Sequence, residues 1–240
     1  MQLDEKWSFV GKKEKHCDPD DEADWSKGDQ WDHVAFDPDS RLVLQVVVGK
    51  RLDTVVEALL EGLKGRLGGS PPELVTSDGY QVYEEALLGA FGEEVTPPRT
   101  GRPGRPAGPR VEPPGGMCYG RVVKHKKKGR VERVAAEVVF GELPEGEAIG
   151  TSYLERQNAT DRHRNARKGR KTYRFSKDWE THEAMTTFTM YSYNFCWAVR
   201  TLRQEVTPKR YRQRTPAMAA GLADHVWSLE EWLTLPAVQH

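Results

Sequence analysis

The spacing of apolar residues over positions 1–97 changes repeatedly between the period of a strand and the period of a helix. The predicted elements are, in order, strands at 1–10, 31–36 and 42–48, a helix from Asp53, a strand at 73–76, a helix at about 80–91 and a strand at 94–96. The helix from Asp53 has one apolar side, formed by Val56, Leu59, Leu60, Leu63 and Leu67. This order predicts an α/β fold with a mixed five-stranded sheet flanked by helices.

The composition changes between Pro97 and Gly116, where Pro, Gly and Arg predominate and a flexible basic linker is predicted. The repeat at 101–106, Gly-Arg-Pro-Gly-Arg-Pro, is typical either of such a linker or of an AT-hook, whose Arg side chains enter the DNA minor groove. A hairpin is predicted next, with strands at 119–125 and 130–140 around a Lys-rich turn. Residues 98–148 are therefore predicted to be a linker and hairpin insertion.

Helical patterns return in the last third of the chain. A polar, Arg-rich helix is predicted at 151–166, and a long helix capped by Ser176 is predicted to reach Leu202. The expected buried face of the long helix contains Met185, Phe188, Ser192, Phe195, Val199 and Leu202. Thr215-Pro216, and Ser228 with Glu231 after it, are typical starts of two short helices. The predicted organisation is a core made of 1–97 and 149–203, the insertion 98–148, and a C-terminal tail at 204–240.

Composition limits the class of protein. The 240 residues include 30% charged and 37% hydrophobic residues, which is enough for one large soluble domain or two small ones. There is no apolar run near the roughly 20 residues of a membrane helix, and no signal-peptide pattern. Cys17, Cys118 and Cys196 form no CxxC pair, which argues against a disulfide framework or a zinc knuckle. These features predict a cytoplasmic protein without a membrane partner.

The formal net charge of zero hides a strong separation of charge along the chain. Residues 14–39 are acidic, whereas residues 99–133 and 156–177 are strongly basic. Such an asymmetry indicates a polyanionic partner, although a charged run is also typical of an ordinary solvated surface.

Three carboxylates have distinctive local settings. Asp4 lies in the first predicted strand, Asp78 directly follows the strand at 73–76, and Glu155 lies near the start of the Arg-rich helix. Neighbouring strands would bring Asp4 and Asp78 together, and clustered carboxylates require either a proton or a cation. Mg²⁺ and Mn²⁺ prefer oxygen ligands, and two such ions about 3.5–4 Å apart can stabilise both oxygens of an in-line displacement.

The helix of Glu155 also carries candidate DNA contacts. Asn158 and Arg162 follow Glu155 by three and seven residues, so they share its helical face. Lys168, Arg170 and Lys171 would extend this surface toward phosphates. Structural alternatives stay open, because Ser152-x-x-Glu155 also fits a capping box and Asp78-Gly79 also fits a turn or a helix cap.

Several sequence blocks together resemble the insertion sequence one family of transposases. The three main blocks are Asp4-Glu5-x-Trp7, Ser77-Asp78-Gly79 with Tyr83, and Glu155-Arg156-x-Asn158. The likeness continues through Arg162, Gly169-Arg170-Lys171, Phe175-Ser176-Lys177, Glu180, His182 and Tyr193-Asn194, and the tail 215–222 is similar to the closing segment of many related enzymes. The resemblance covers about 1–97 and 150–200.

This resemblance implies a ribonuclease H-like fold in which Asp4, Asp78 and Glu155 form an Asp-Asp-Glu triad with two Mg²⁺ ions, or Mn²⁺ as a substitute. The implied activity is DNA strand cleavage and strand transfer on element ends and target DNA. The implied setting is a homo-oligomer on DNA, associated with a prokaryotic nucleoid.

The chain departs from the family pattern at three places. The acidic loop 14–30 and the insertion 98–148 make it longer than a compact member, and no zinc-binding and helix-turn-helix region precedes Asp4. An upstream-frame DNA-binding protein or domain is therefore an expected partner. Two other functions stay open: an inactive or domesticated remnant that binds DNA, and a nuclease or resolvase that cuts without joining.

Overall fold

The computed structural model describes residues 1–97 and 108–235, so the Gly-Arg-Pro repeat at 101–106 lies outside the described residues. The strands within those ranges are β1 (Gln2–Val10), β2 (Gly28–Phe36), β3 (Val43–Gly49), β4 (Leu74–Asp78), β5 (Glu93–Val95), β6 (Arg110–Glu112), β7 (Cys118–Lys127), β8 (Arg130–Phe140), β9 (Gln204–Thr207) and β10 (Arg210–Arg212). The helices are α1 (Asp53–Arg66), α2 (Val82–Phe91), α3 (Ser152–Arg164), α4 (Trp179–Cys196), α5 (Pro216–Ala219) and α6 (Leu229–Thr234).

A mixed six-stranded sheet in the order β3-β2-β1-β4-β7-β8 forms the centre of the fold. Strands β1, β4 and β7 are parallel to one another, and the pairs β1–β2, β2–β3 and β7–β8 are antiparallel. The predicted α/β class is confirmed in these terms.

Helices cover both faces of this sheet. On one face, Leu3 packs in a core with α1 and α2, including Leu59 and Tyr83. On the other face, Leu154 of α3 and Met190 of α4 belong to a second core with residues of β2 and β3. Because side chains alternate along a strand, consecutive residues of β1 face different helical layers. No helix in residues 1–97 or 108–235 is long and apolar enough to cross a membrane.

The prediction of a five-stranded sheet is wrong in its last strand. Residues Glu93–Val95 do form a strand, but it pairs with β6 in a separate two-stranded sheet. The fifth position of the main sheet belongs to β7, in the hairpin that was predicted as an insertion. The reason is burial: β5 has two exposed residues, whereas Cys118, Tyr119 and Val122 of β7 are buried. The predicted hairpin itself is confirmed, with β8 as the sixth strand.

The boundaries and the buried side of the long helix also differ from the prediction. The side chain of Asp178, not Ser176, caps α4, and the helix ends at Cys196. Its buried side is mostly polar and contains His182, Thr186, Thr189, Met190, Ser192, Tyr193 and Asn194. The expected apolar face contacts the tail instead, where the Phe188 ring lies against Trp232 and the Phe195 ring against Trp227. The predicted caps at Thr215 and Ser228 are confirmed.

A buried charge cluster of Lys6, Asp32, Asp161 and Lys168 joins this polar side to the sheet. Lys6 Nζ pairs with Asp161 and lies 3.1 Å from Asp32 Oδ2, and Lys168 Nζ pairs with the other Asp32 oxygen. All four side chains are at most 1% exposed. Burial alone would raise the pKa of Asp32, but Lys168 and Lys6 lower it below its ordinary value, so Asp32 is ionised. Thr189 of α4 donates a further hydrogen bond to Asp161 at 3.0 Å.

The charge cluster predicts a severe effect of removing one partner. Asp32→Ala would leave Lys6 and Lys168 with too little negative charge in a site without water, so it should lower the free energy of unfolding by about 3–5 kcal/mol. Urea denaturation measures this loss. The control is Glu132→Ala, whose exposed pair with Lys127 at 3.5 Å should contribute at most about 1 kcal/mol. Equal stability of the two variants would contradict a structural role of the cluster.

Candidate active site

Strands β1 and β4 bring Asp4 and Asp78 side by side. Leu3 pairs with Ser77 in the parallel register, so the next residue of each strand, Asp4 and Asp78, lies on the same face. The two aspartates that sequence spacing predicted as neighbours are therefore adjacent. The Oδ1 atom of Asp78 also accepts a hydrogen bond from the Tyr80 backbone N–H at 3.1 Å, so the turn alternative for Asp78 is correct as well.

Helix α3 lies across the same face and contacts Asp4 directly. The Asn158 side-chain amide donates to Asp4 Oδ2 at 2.7 Å. Gln2, two residues before Asp4, accepts from the Leu154 backbone N–H and donates to the Gly150 carbonyl, both at 2.8 Å. These contacts fix the first two turns of α3 over the N-terminal end of β1.

The position of Asp4 makes its ionisation costly. The pKa of Asp4 is raised to about 7, first by burial and then by the negative charges of Asp78 and Glu5, while hydrogen bonds from the backbone and from Asn158 oppose the shift. Asp4 therefore titrates near neutral pH.

Glu155 lies in the first turn of α3, with its carboxylate held by two other groups. Its Oε1 atom accepts from Lys124 Nζ at 2.8 Å and from Thr151 Oγ1 at 3.3 Å. Thr151, not Ser152, precedes the first turn and makes no side-chain cap, so the predicted capping box does not form. About half of the Glu155 side chain is exposed, which leaves it accessible from solvent.

Lys124 is the site residue that the sequence analysis missed. The hydrogen bond to Glu155 raises the pKa of Lys124, and the charges of Glu155, Asp4 and Asp78 also raise it, so this ammonium lies near all three carboxylates. Its position follows from the sheet: Asp78 pairs with Val122 of β7, and Lys124 is the next residue of β7 on the same face. Alternation along β7 would have indicated Lys124 had that strand been placed beside β4.

The five predicted DNA contacts fall into different environments. Lys168 is buried against Asp32, so its predicted role in phosphate binding is wrong. Asn158 is buried and orients Asp4 instead of facing solvent, and Arg162 donates to the backbone oxygens of Lys168 and Trp7 at 3.1 and 3.4 Å. Arg170 and Lys171 are exposed and remain available to a ligand.

The carboxylates of the site are the candidate ligands of a divalent cation. Within 1–97 and 108–235, no three His, Cys, Asp or Glu side chains are grouped closely enough to hold a metal ion. Asp4 and Asp78 could still hold a cation between them, because burial and then the charge of Asp78 raise the pKa of Asp4, and a cation would offset both effects. Glu155 is the carboxylate outside this pair, since its charge is directed to Lys124.

Comparison with known proteins adds no relative: no family model, curated protein or solved structure matches the chain. The site must therefore be interpreted from its own residues.

The pKa of Asp4 predicts a pH-dependent stability. The folded state holds this proton up to about pH 7 and the unfolded state only to about pH 4, so the folded state binds more protons between these values. Wild-type stability should therefore fall as pH rises from 4 to 7, by about 2–4 kcal/mol from this group. Asp4→Asn should not show this component. Urea unfolding of both proteins at pH 5 and pH 8 measures the difference, and a wild-type-to-variant difference that is independent of pH would exclude the assignment.

Proposed function

We propose that the chain is a metal-dependent transposase that cleaves and joins DNA strands on a ribonuclease H-like fold. The observation that carries this proposal is the pair Asp4 and Asp78 on adjacent parallel strands, with α3 laid across them so that Asn158 bonds Asp4 and Glu155 lies one turn before Asn158. This is the arrangement that the resemblance to insertion sequence one transposases implies for an Asp-Asp-Glu triad.

The strand order supports the same fold family. In the order β3-β2-β1-β4-β7, neighbouring strands among the first three of the chain are antiparallel, β4 and β7 are parallel to β1, and α1 lies between β3 and β4 in the chain. This mixed sheet is compatible with a ribonuclease H-like fold. β8 is an addition at the outer edge. Fold alone does not define an activity, so the proposal depends on the carboxylates.

The chain's own residues have distinct roles in this proposal. Asp4 and Asp78 would hold Mg²⁺ or Mn²⁺, and Asn158 keeps Asp4 turned toward the site. Two such ions, if held by these residues, would supply activation of the attacking water or 3′-hydroxyl and stabilisation of the leaving oxygen. Glu155 supplies a third carboxylate for this centre, and Lys124 offsets its charge in the absence of a cation.

The exposed basic residues near the site support a DNA substrate. Burial lowers the pKa of Arg162, the nearby charge of Arg170 lowers it further, and the charge of Asp4 is among those that oppose the shift. The exposed end of the β7–β8 hairpin, which includes Lys124, Lys126 and Lys127, adds positive charge on another side. A phosphate backbone that passes over the carboxylates would contact the arginines near α3 and the lysines of the β7–β8 hairpin.

A non-catalytic DNA-binding remnant is the second candidate, and the Lys124–Glu155 ion pair is the observation that favours it. An ammonium that neutralises the third carboxylate would serve a protein that no longer binds a cation there. The two candidates differ in one measurable property, which is metal-dependent cleavage.

The first test of the proposal replaces the three carboxylates one at a time. Asp4→Asn, Asp78→Asn and Glu155→Gln should each reduce Mg²⁺-dependent cleavage and joining of element-end DNA by about 1,000-fold or more, equivalent to about 4 kcal/mol of barrier. Glu57→Gln on α1, an exposed carboxylate on the opposite face of the sheet, is the control and should keep full activity.

The outcomes separate the candidates. Wild-type protein that binds DNA but cleaves with neither Mg²⁺ nor Mn²⁺ would support the remnant and contradict the transposase. Cleavage without any joined product would indicate a nuclease or resolvase.

The second test concerns the DNA surface. If Arg170 and Lys171 neutralise two phosphates, the double variant Arg170→Ala/Lys171→Ala should reduce the slope of log affinity against log salt concentration by about 1.8 on duplex DNA. Lys64→Ala/Arg66→Ala removes the same charge from α1, on the opposite face of the sheet, and should leave the slope unchanged. Fluorescence anisotropy at several salt concentrations measures the slope. Equal slopes for both double variants would place the DNA surface elsewhere.

A further inference from the structure

Strand β8 leaves a long free edge on the main sheet. It is the terminal strand and pairs with β7 on one side, and no other strand within 1–97 or 108–235 pairs with its second side. An unpaired edge presents a row of backbone N–H and C=O groups that another strand can satisfy. Natural sheets usually protect such an edge with charges, bulges or a covering segment.

Exposed apolar side chains lie between the charged residues of β8. Val131, Val134 and Val138 are 51%, 57% and 46% exposed. Val134 and Val138 pair across to Lys124 and Gly120 of β7, so they lie on the face that carries α3. The middle of the strand is regular, because the two irregularities of the β7–β8 pairing lie outside residues 133–138.

The sequence of this regular stretch is complementary to itself when read in the antiparallel direction. With Ala135 opposite its own copy, Arg133 of each strand lies opposite Glu137 of the other, and Val134 lies opposite Ala136. Symmetry therefore gives two attractive charge pairs and a shared patch of Val134 and Ala136. Moving the centre to Val134 or to Ala136 places no opposite charges across from each other. Opposite charges directly across a ladder stabilise pairing, and they select the register.

We propose that β8 is a self-association surface, through which two copies of this chain join edge to edge in an antiparallel register centred on Ala135. The expected partner is a second copy because β8 carries both members of the charge pair, Arg133 and Glu137, at mirrored positions about Ala135. Glu137 also pairs with Arg121 of its own chain at 3.2 Å, so in the dimer this partly exposed carboxylate would lie between two arginines. The inference does not rest on the proposed catalytic function, and its test uses neither DNA nor metal.

Charge reversal tests the register. Arg133→Glu or Glu137→Arg would each place two pairs of like charges across the interface, so either variant alone should have a dimer dissociation constant raised about tenfold or more. An equimolar mixture of the two variants should dimerise again, because every opposed pair in the mixed dimer is attractive. Arg130→Glu, which faces the apolar Phe140 in this register, is the matched control and should dimerise like wild type. Sedimentation equilibrium measures all four samples.

A cysteine at the symmetry centre tests the geometry independently. Opposed residues of a ladder lie about 4.5–5.5 Å apart between Cα atoms, within disulfide reach. In a Cys17→Ser/Cys196→Ser background, Ala135→Cys should form a disulfide-linked dimer under mild oxidation. Val131→Cys should not, because the two copies of this residue would lie on opposite sides of the centre.

Three results would overturn the proposal. They are a wild-type chain that stays monomeric over the concentration range used, a mixture of reversed variants that stays monomeric, and dimerisation without linkage of Ala135→Cys. Circular dichroism and thermal unfolding of each variant show whether a monomeric result reflects lost folding. Dimerisation of the mixture shows in addition that both variants are folded, because each is a component of the mixed dimer.

Discussion

The structure depends on a balance of charge in its interior. Lys6, Asp32, Asp161 and Lys168 lie where water does not reach, on β1, on β2, on α3 and just after α3. Such a group stabilises little relative to an apolar core of the same shape, but each member is needed once the others are present. Lys6 can satisfy Asp32 and Asp161 together only when α3 lies at one position along β1. We infer that the cluster defines the position of this helix more than it adds net stability.

That position also determines the candidate site. Asp161 follows Asn158 by one helical turn, and Lys6 follows Asp4 by two residues on the same face of β1. β1 and α3 therefore meet at two contacts, Lys6 with Asp161 and Asp4 with Asn158, whose charges differ. At one, Asp161 meets a lysine, and at the other, Asp4 meets an amide and another carboxylate. Within one protein, the charges of Lys168 and Lys6 outweigh burial and lower the pKa of Asp32, whereas burial and the charge of Asp78 together raise the pKa of Asp4. A pair of this second kind does not stabilise the fold, which makes a binding role its more economical explanation.

Hydrophobic periodicity identified β1 to β4, α1 and α2, because these elements bury apolar residues at regular spacing. Hydrophobic periodicity does not identify residues that are buried through polar contacts. Lys168 has the sequence context of a DNA-binding lysine, and only the fold shows that Asp32 neutralises it. The buried side of α4 is occupied by Thr186, Thr189 and Ser192, which no apolar pattern reveals. The linker before β7 favours an insertion, and the pairing of β7 with β4 is not predictable from the sequence because pairing over such a distance is not encoded locally. Asp4 and Asp78 were predictable as neighbours because only their two adjacent strands were needed.

The placement of β7 explains two features that are not predictable from the sequence: Lys124 at the candidate site and β8 at the edge of the main sheet. Its inner side pairs with β4 and carries Lys124 to the carboxylates, while its outer side holds β8 at the edge. A two-fold axis through paired β8 strands would be perpendicular to the sheet, so both copies would keep α3 on the same side of one continuous sheet. Both carboxylate sites would then open in the same direction, at equal distances from the axis. If the chain has the proposed strand-joining activity, such a dimer would present two carboxylate sites in one assembly without any movement of the strands and the helix that hold Asp4, Asp78 and Glu155.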